Sequence, residues 1–353
     1  MSHRFLASYG LLAALLAVVL LAVAPLAGQA PPAGARNTSG SAKNWTPPRT
    51  VDGQPDIQGV WANNVATPLE RPQALAGKQV LSDAEVAALQ ETARQLFDGE
   101  TDAAFGDSVF ETVLQKAKGF TSRDAGTGNY NHFWLVQRNF DNRTSLVTDP
   151  PDGRLPQLTP EGQKKREAAR IRRGRPAIGP EDRGLGERCI SFGSPRLGAG
   201  YNSYYHILQS AGYVAIVMET IHDARIIPLD GRPHVGKNIR QWLGDSRGHW
   251  EGNTLVVDTI NYSSKSDVAG GGENAHVTER FARISADTLQ YEVTVNDPAT
   301  WTKPWTAMVP MRRSQDKVFE FACHEGNAGL HGILAGARAQ EKAAEEAAKK
   351  SSR

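Results

Sequence analysis

The sequence predicts an α+β fold that is mostly β: an antiparallel meander forming a barrel or strongly curved sheet, with helices from the N-terminal half packed on it. Three observations predict this. From about residue 200 the apolar residues alternate with polar ones, as half-buried antiparallel strands require. The runs are joined by short turn signals such as AG (211–212), GN (252–253) and SAD (285–287), so sequential neighbours should pair. Residues 80–175 instead contain helical patterns with recognisable starts. A long run of strands must expose two edges or curl, which favours curvature.

Taken in order, the chain opens with a basic MSHR followed by an uncharged apolar stretch, LLAALLAVVLLAVAPLA, that ends among small residues. This reads as a secretory signal over residues 1–30, with cleavage after Ala30; a retained anchor is the alternative, since the run is nearly long enough to span a bilayer. Residues 31–50 are rich in Pro, Gly, Ser and Thr and read as a flexible linker. The exported domain should then cover 51–335, with a helical and irregular part over 80–175 and the β-meander over 200–325.

In that first part, Ser82 and Glu85 have capping-box spacing before an apolar stripe of Val86, Leu89 and Ala93, and Thr159-Pro160 opens a second helix. The expected strands are SYYHILQ, YVAIVMET, ARIIP, NTLVVDTI, TERFARI, TLQYEVTV, WTAMVPMRR and KVFEFAC. In TLQYEVTV, Leu289, Tyr291, Val293 and Val295 should share the buried face. Residues 336–353 are good helix formers with alternating charge and no apolar stripe, which marks a solvated helical tail.

Composition limits the function. The formal net charge is +2, and the one concentration of basic residues is KKREAARIRRGR at 164–175, a solvated helix face or a patch for an anionic polymer or membrane. That profile excludes a nucleic-acid partner. Export implies a periplasmic or secreted protein with no stable membrane insertion after signal cleavage. The two cysteines, Cys189 and Cys323, are both in the exported part, where a disulfide is expected; two separate buried thiols are the alternative.

Seven of the nine histidines lie between residues 206 and 331. Three clusters draw attention. In HDARIIPLDGRPH (222–234), Asp230 serves the turn, while His222, Asp223 and Arg225 are either a site or a polar hairpin corner. In SRGHWEGN, His249 and Glu251 share a strand face, with Arg247 nearby and Trp250 on the other face; they suit acid–base chemistry or a cross-strand polar pair. In ACHEGN, Cys323 would fix His324, Glu325 and Asn327 where the last strand leaves the sheet. No HExxH, CxxC, phosphate-loop or GxSxG motif occurs, so neither a metal nor a cofactor is expected.

The segments TVDGQPDIQGVW, RTSLVTDPPDGRLPQLTPEG, QWLGDSRGHWEGNTLVVDT and ACHEGN together resemble a family of exported bacterial proteins usually labelled hypothetical. The resemblance implies one exported domain and no particular activity. Gly59 and Trp61 in DIQGVW are also similar to the Gly-x-Trp of the first strand of lipocalin-like (calycin) barrels, which implies an arginine from a late strand, Arg312 or Arg313, over the tryptophan.

These readings lead to an expected enzyme, a hydrolase or lyase, acting on a small organic or glycan substrate by general acid–base chemistry. Its catalytic residues would be His222, Glu251, His324 and Glu325; Arg225, Arg247, Trp250 and Asn327 would bind substrate. A lipocalin-like small-molecule carrier and an envelope polymer-binding protein are the competing expectations.

Overall fold

A computed structural model describes residues 45–97, 107–115, 138–200 and 202–351. The expected signal segment, most of the expected linker and residues 98–106, 116–137 and 201 lie outside the described residues. Ten strands form one antiparallel sheet: β1 (Gly59–Ala62), β2 (Val147–Asp149), β3 (Tyr204–Ser210), β4 (Tyr213–Met218), β5 (Ala224–Pro228), β6 (Asp245–Glu251), β7 (Thr254–Ile260), β8 (His276–Ser285), β9 (Thr288–Asn296) and β10 (Trp305–Ser314). Among the described residues four α-helices accompany them: α1 (Asp83–Leu96), α2 (Asp107–Leu114), α3 (Pro160–Arg173) and α4 (Ala328–Ser351).

The sheet order is β5-β4-β3-β1-β10-β9-β8-β7-β6, with β2 beside β10. Sequential pairing therefore holds within two meanders, β3–β5 and β6–β10. The two are joined by β1, whose Trp61 pairs with Tyr205 on one side and Arg313 on the other. The edge strands β5 and β6 share no ladder, so the sheet is not a hydrogen-bond-closed barrel. They nevertheless touch at Gly248, where an added Cβ would lie 2.8 Å from Ile227 Cγ2 and 2.7 Å from Leu229 Cδ2. Only glycine lets the two edges come that close.

Period-two alternation builds the core. Leu289, Tyr291, Val293 and Val295 of β9 are buried, as are Val277, Phe281, Ala307 and Val309 of the strands beside it, and Phe281 stacks on Tyr291 at 4.6 Å. Trp61 is fully buried and donates to the Ile57 carbonyl at 2.9 Å; Arg283 and Arg313 lie over its ring at 5.6 and 5.9 Å. Trp45 also meets Arg283, at 5.6 Å, so part of the expected linker packs on the sheet.

Helix α1 begins as its caps dictate: Ser82 accepts from the Glu85 amide at 3.3 Å and Glu85 accepts from the Ser82 amide at 2.9 Å. Val86 joins Leu81, Val109, Phe110 and Phe140 in a second, smaller core. Thr159 caps α3 with a 3.0 Å bond from the Gly162 amide. Two expectations need correction. KVFEFAC forms no strand; Phe319 is largely exposed and Phe321 meets Phe192 edge-on at 6.4 Å, so alternation there serves loop packing. The C-terminal helix starts at Ala328 rather than in the mid-330s, and it is not solvated throughout. Ala337 is buried, and Arg338 donates to the carbonyls of Ala177 and Ile178 at 2.7 and 3.0 Å.

Candidate functional site

The β4–β5 connection, residues 219–223, is conformationally unusual. Ile221 and His222 have φ of 57° and 49°, and the nearby Asn202 and Cys189 have 50° and 55°. A β-branched residue in the left-handed region is a steric outlier, and each such residue costs on the order of 1–3 kcal/mol that surrounding contacts must offset. Those contacts are visible. The Met218 amide donates to the Asp223 carbonyl at 2.8 Å, Thr220 Oγ1 donates to the Asn202 carbonyl at 2.7 Å, and Arg196 donates to Thr220 Oγ1. The Cys189–Cys323 disulfide, with Cα atoms 5.6 Å apart, ties the neighbouring segment down, and Asn327 Nδ2 donates to the Glu187 carbonyl at 3.0 Å. The disulfide expectation therefore holds.

Two carboxyl groups sit in this turn. Asp223 is 9% exposed and accepts from Ser191 Oγ at 2.9 Å and the Phe192 amide at 3.2 Å. Burial raises its affinity for a proton, outweighing those two hydrogen bonds and the charges of His222 and Arg196. Glu219 is 3% exposed; Asn202 Nδ2 donates to its Oε1 at 3.0 Å, while Oε2 has no hydrogen-bond partner among the described residues. Burial raises its pKa as well, against the bonds from Asn202 and the Phe319 amide. His222, between them in sequence, is exposed. The turn thus places two carboxyls biased towards the protonated form beside a solvent-facing imidazole, an arrangement able to give and take protons.

The structure divides the residues expected from sequence. His222, His324, Glu325 and Asn327 belong to this end of the sheet, the last three held close by Cys323 bonded to Cys189; His324 and Glu325 are exposed. Arg225 points the other way, into the core. It makes a bidentate ion pair with Glu279, with Nη2 2.9 Å from Oε1, and Tyr291 donates to the same Oε1 at 2.5 Å. Burial opposes its charge, but the Glu279 carboxylate outweighs that and keeps Arg225 ionised. The same burial pushes the hydroxyl of Tyr205 up to about 12 and holds Tyr291 neutral.

The remaining expected residues lie along β6. His249 Nε2 is 3.1 Å from Glu251 Oε1, and Arg280 donates to Glu251 Oε2 at 2.7 Å. Arg280, and then His249, hold the Glu251 carboxyl below its ordinary range. Arg247 donates to Asp245 at 2.6 Å and to the Pro233 carbonyl at 3.1 Å, and Trp250 packs against the core. His234 extends this network, its two ring nitrogens each 2.9 Å from Asp245 and Asp258, and His276 contacts the other Asp258 oxygen. Among the described residues no group of three or more His, Cys, Asp or Glu side chains is placed to hold a metal ion.

Ser191 and Glu219 were missed by sequence reasoning. Nothing in ETIHDAR signals a left-handed isoleucine, and Ser191 reaches Asp223 only through the fold. No protein-family model and no curated protein matches this chain.

Proposed function

We propose that the protein is an exported enzyme acting on a small organic or glycan substrate by general acid–base chemistry at the turn formed by Glu219, His222 and Asp223. The observation that carries this reading is the left-handed pair Ile221–His222, which sets two buried carboxyls, each with its pKa raised by burial, in one turn with an exposed imidazole. Strain of this kind is stored where a fixed geometry is needed. A protonated carboxyl gives its proton to a leaving group, and His222 takes one from water or from substrate carbon, for hydrolysis or elimination respectively. His324 and Glu325, brought near by the disulfide, would contact substrate. Glu251 has no part in it, since its carboxylate is committed to Arg280 and His249.

We further read the sheet as a lipocalin-like barrel whose last seam closes by side-chain packing. Ile227 and Leu229 against Gly248, and Arg313 over Trp61, support that reading.

Untargeted metabolite profiling of the purified protein tests the function, using envelope and growth-medium extracts and comparing wild type with His222→Ala and His324→Ala. Turnover by wild type that His222→Ala abolishes is the expected result. Equal turnover by all three proteins removes this turn from the site. Molecules bound but unchanged favour the carrier reading, and retention of cell-wall polymer that weakens steeply with salt favours the polymer-binding one.

A further inference from the structure

The segment DPPDGRLP, residues 149–156, continues from β2 and folds over the side chain of Arg71. Its turn is closed by the Gly153 amide donating to the Pro150 carbonyl at 3.0 Å, and the Arg71 amide donates to the Gly153 carbonyl at 2.8 Å. Gly153 has φ 73°, and a Cβ there would lie 2.8 Å from Arg71 Cζ. A side chain at that position would displace the guanidinium.

Arg71 is 6% exposed, yet among the described residues its side chain bonds to neutral oxygens alone. Nε donates to Thr144 Oγ1 at 2.9 Å, Nη1 to the Asp152 carbonyl, and Nη2 to Ser145 Oγ at 3.5 Å. These bonds use three of the five N–H groups of a guanidinium, and none is to a carboxylate. A buried cation is normally paired, because desolvating a charge is costly.

Arg71 also lines a cleft of about 240 Å³, together with Gln73, Gln79, Asp152 and Arg154. Arg154 Nη2 donates to Gln73 Oε1 at 3.1 Å, again a neutral acceptor. Asp152 Oδ1 accepts from the Arg154 amide at 3.0 Å. Two guanidinium groups and one carboxylate give the lining a formal excess of one positive charge. Gln79 Nε2 is taken by the Pro151 carbonyl at 3.1 Å and Gln73 Oε1 by Arg154, which leaves Gln79 Oε1 to accept and Gln73 Nε2 to donate.

We propose that this cleft binds a small hydroxylated monocarboxylate of the sugar-acid class, its carboxylate held by Arg71 and Arg154 and its hydroxyls by Gln73 and Gln79. A planar carboxylate matches the guanidinium fork, and one negative charge balances the lining. A spare donor and a spare acceptor suit hydroxyls, which both give and take hydrogen bonds. None of these residues belongs to the β4–β5 turn, and the inference does not rest on the acid–base reading.

Calorimetric titration of the full chain with D-glucuronate, and with neutral D-glucuronamide as the matched control, tests the assignment. Wild type should prefer glucuronate by about tenfold or more, the worth of one charge-assisted hydrogen bond. Arg154→Gln, which gives up a side-chain bond only to the exposed Gln73, should lose most of that preference at an unchanged melting temperature. Asp152→Asn keeps the oxygen that accepts from the Arg154 amide but removes a negative charge from the lining, so it should tighten glucuronate binding and leave glucuronamide unaffected. The proposal is overturned if wild type binds both ligands alike or neither, if Asp152→Asn weakens glucuronate binding, or if Arg154→Gln leaves the preference intact. Displacement of glucuronate by acetate at equal concentration also overturns it, because the hydroxyls would then contribute nothing.

Discussion

The outer face of β6–β8 and the β4–β5 turn hold the same kinds of residue, histidines beside carboxylates, yet they differ in one respect. On the outer face every acid has a cationic or imidazole partner: Glu251 has Arg280 and His249, Asp245 has Arg247 and His234, and Asp258 has His234 and His276. In the turn, among the described residues, Glu219 keeps one oxygen unpartnered and Asp223 is bonded only by neutral donors, and the backbone is held in a costly conformation. Abundance of ionisable groups does not mark a working site. Groups left incompletely satisfied in a strained frame are what the proposed reading relies on, because a folded chain otherwise pairs most of what it buries.

The contrast breaks most visibly in activity. Asp223→Asn or Glu219→Gln should lower kcat by roughly 10²–10⁴, the usual worth of a positioned acid or base, without unfolding the chain. Once a turned-over substrate is known, steady-state kinetics and circular dichroism check both halves of that expectation. A buried pair that is satisfied should behave oppositely. Glu279→Gln leaves Arg225 buried without its carboxylate and should cost about 3–5 kcal/mol, measurable by urea unfolding.

A smaller effect concerns the strain itself. His222→Gly places the residue that tolerates φ 49° where an exposed histidine now sits. Stability should rise by about 0.5–1 kcal/mol while turnover falls, the pattern of a site that costs its fold something.

The smallest effect is a pair of opposite pH slopes. The pKa values of Asp223 and Glu219 are raised on folding, so the native state binds more protons than the unfolded chain just above the ordinary carboxylate range. Their contribution is complete at low pH and is lost as pH climbs through the folded values. For Asp245, burial opposes ionisation, but the Val235 amide, His234 and Arg247 outweigh it and its pKa is lowered. Its contribution is present above the ordinary value of about 3.9 and is lost as pH falls below it. Melting curves should therefore show Asp223→Asn losing part of wild type's advantage at about pH 5 over pH 7, and Asp245→Asn losing stability mainly near neutral pH. Equal slopes for the two variants would erase the distinction between the regions.

Much of the fold was legible because the strands obey a period of two. TLQYEVTV buries the four residues that its alternation selects, and Ser82 starts a helix because its hydroxyl and Glu85 complete each other's hydrogen bonds. The placement of β1 between β3 and β10 was not legible, since it depends on a pairing between Trp61 and residues more than a hundred positions away. KVFEFAC misled because alternation is equally served by a loop pinned by a disulfide.

At the site, His222 and Asp223 could be singled out as a polar corner, whereas Ser191 and Glu219 could not. Their roles come from backbone torsions and from burial, which local sequence does not encode. Glu251 looked equivalent to Asp223 because the sequence does not reveal that Arg280, on a strand two away, satisfies it.

Direct titration of the carboxyls is the sharpest test. Protein labelled with ¹³C at aspartate and glutamate carboxyls, with resonances assigned through Asp223→Asn and Glu251→Gln, gives both midpoints by NMR. Asp223 should titrate above the ordinary aspartate value of about 3.9 and Glu251 below the ordinary glutamate value of about 4.3. Asp223 titrating at or below its ordinary value would mean that the β4–β5 turn is as well satisfied as the outer face, and the proposed proton donor would be lost.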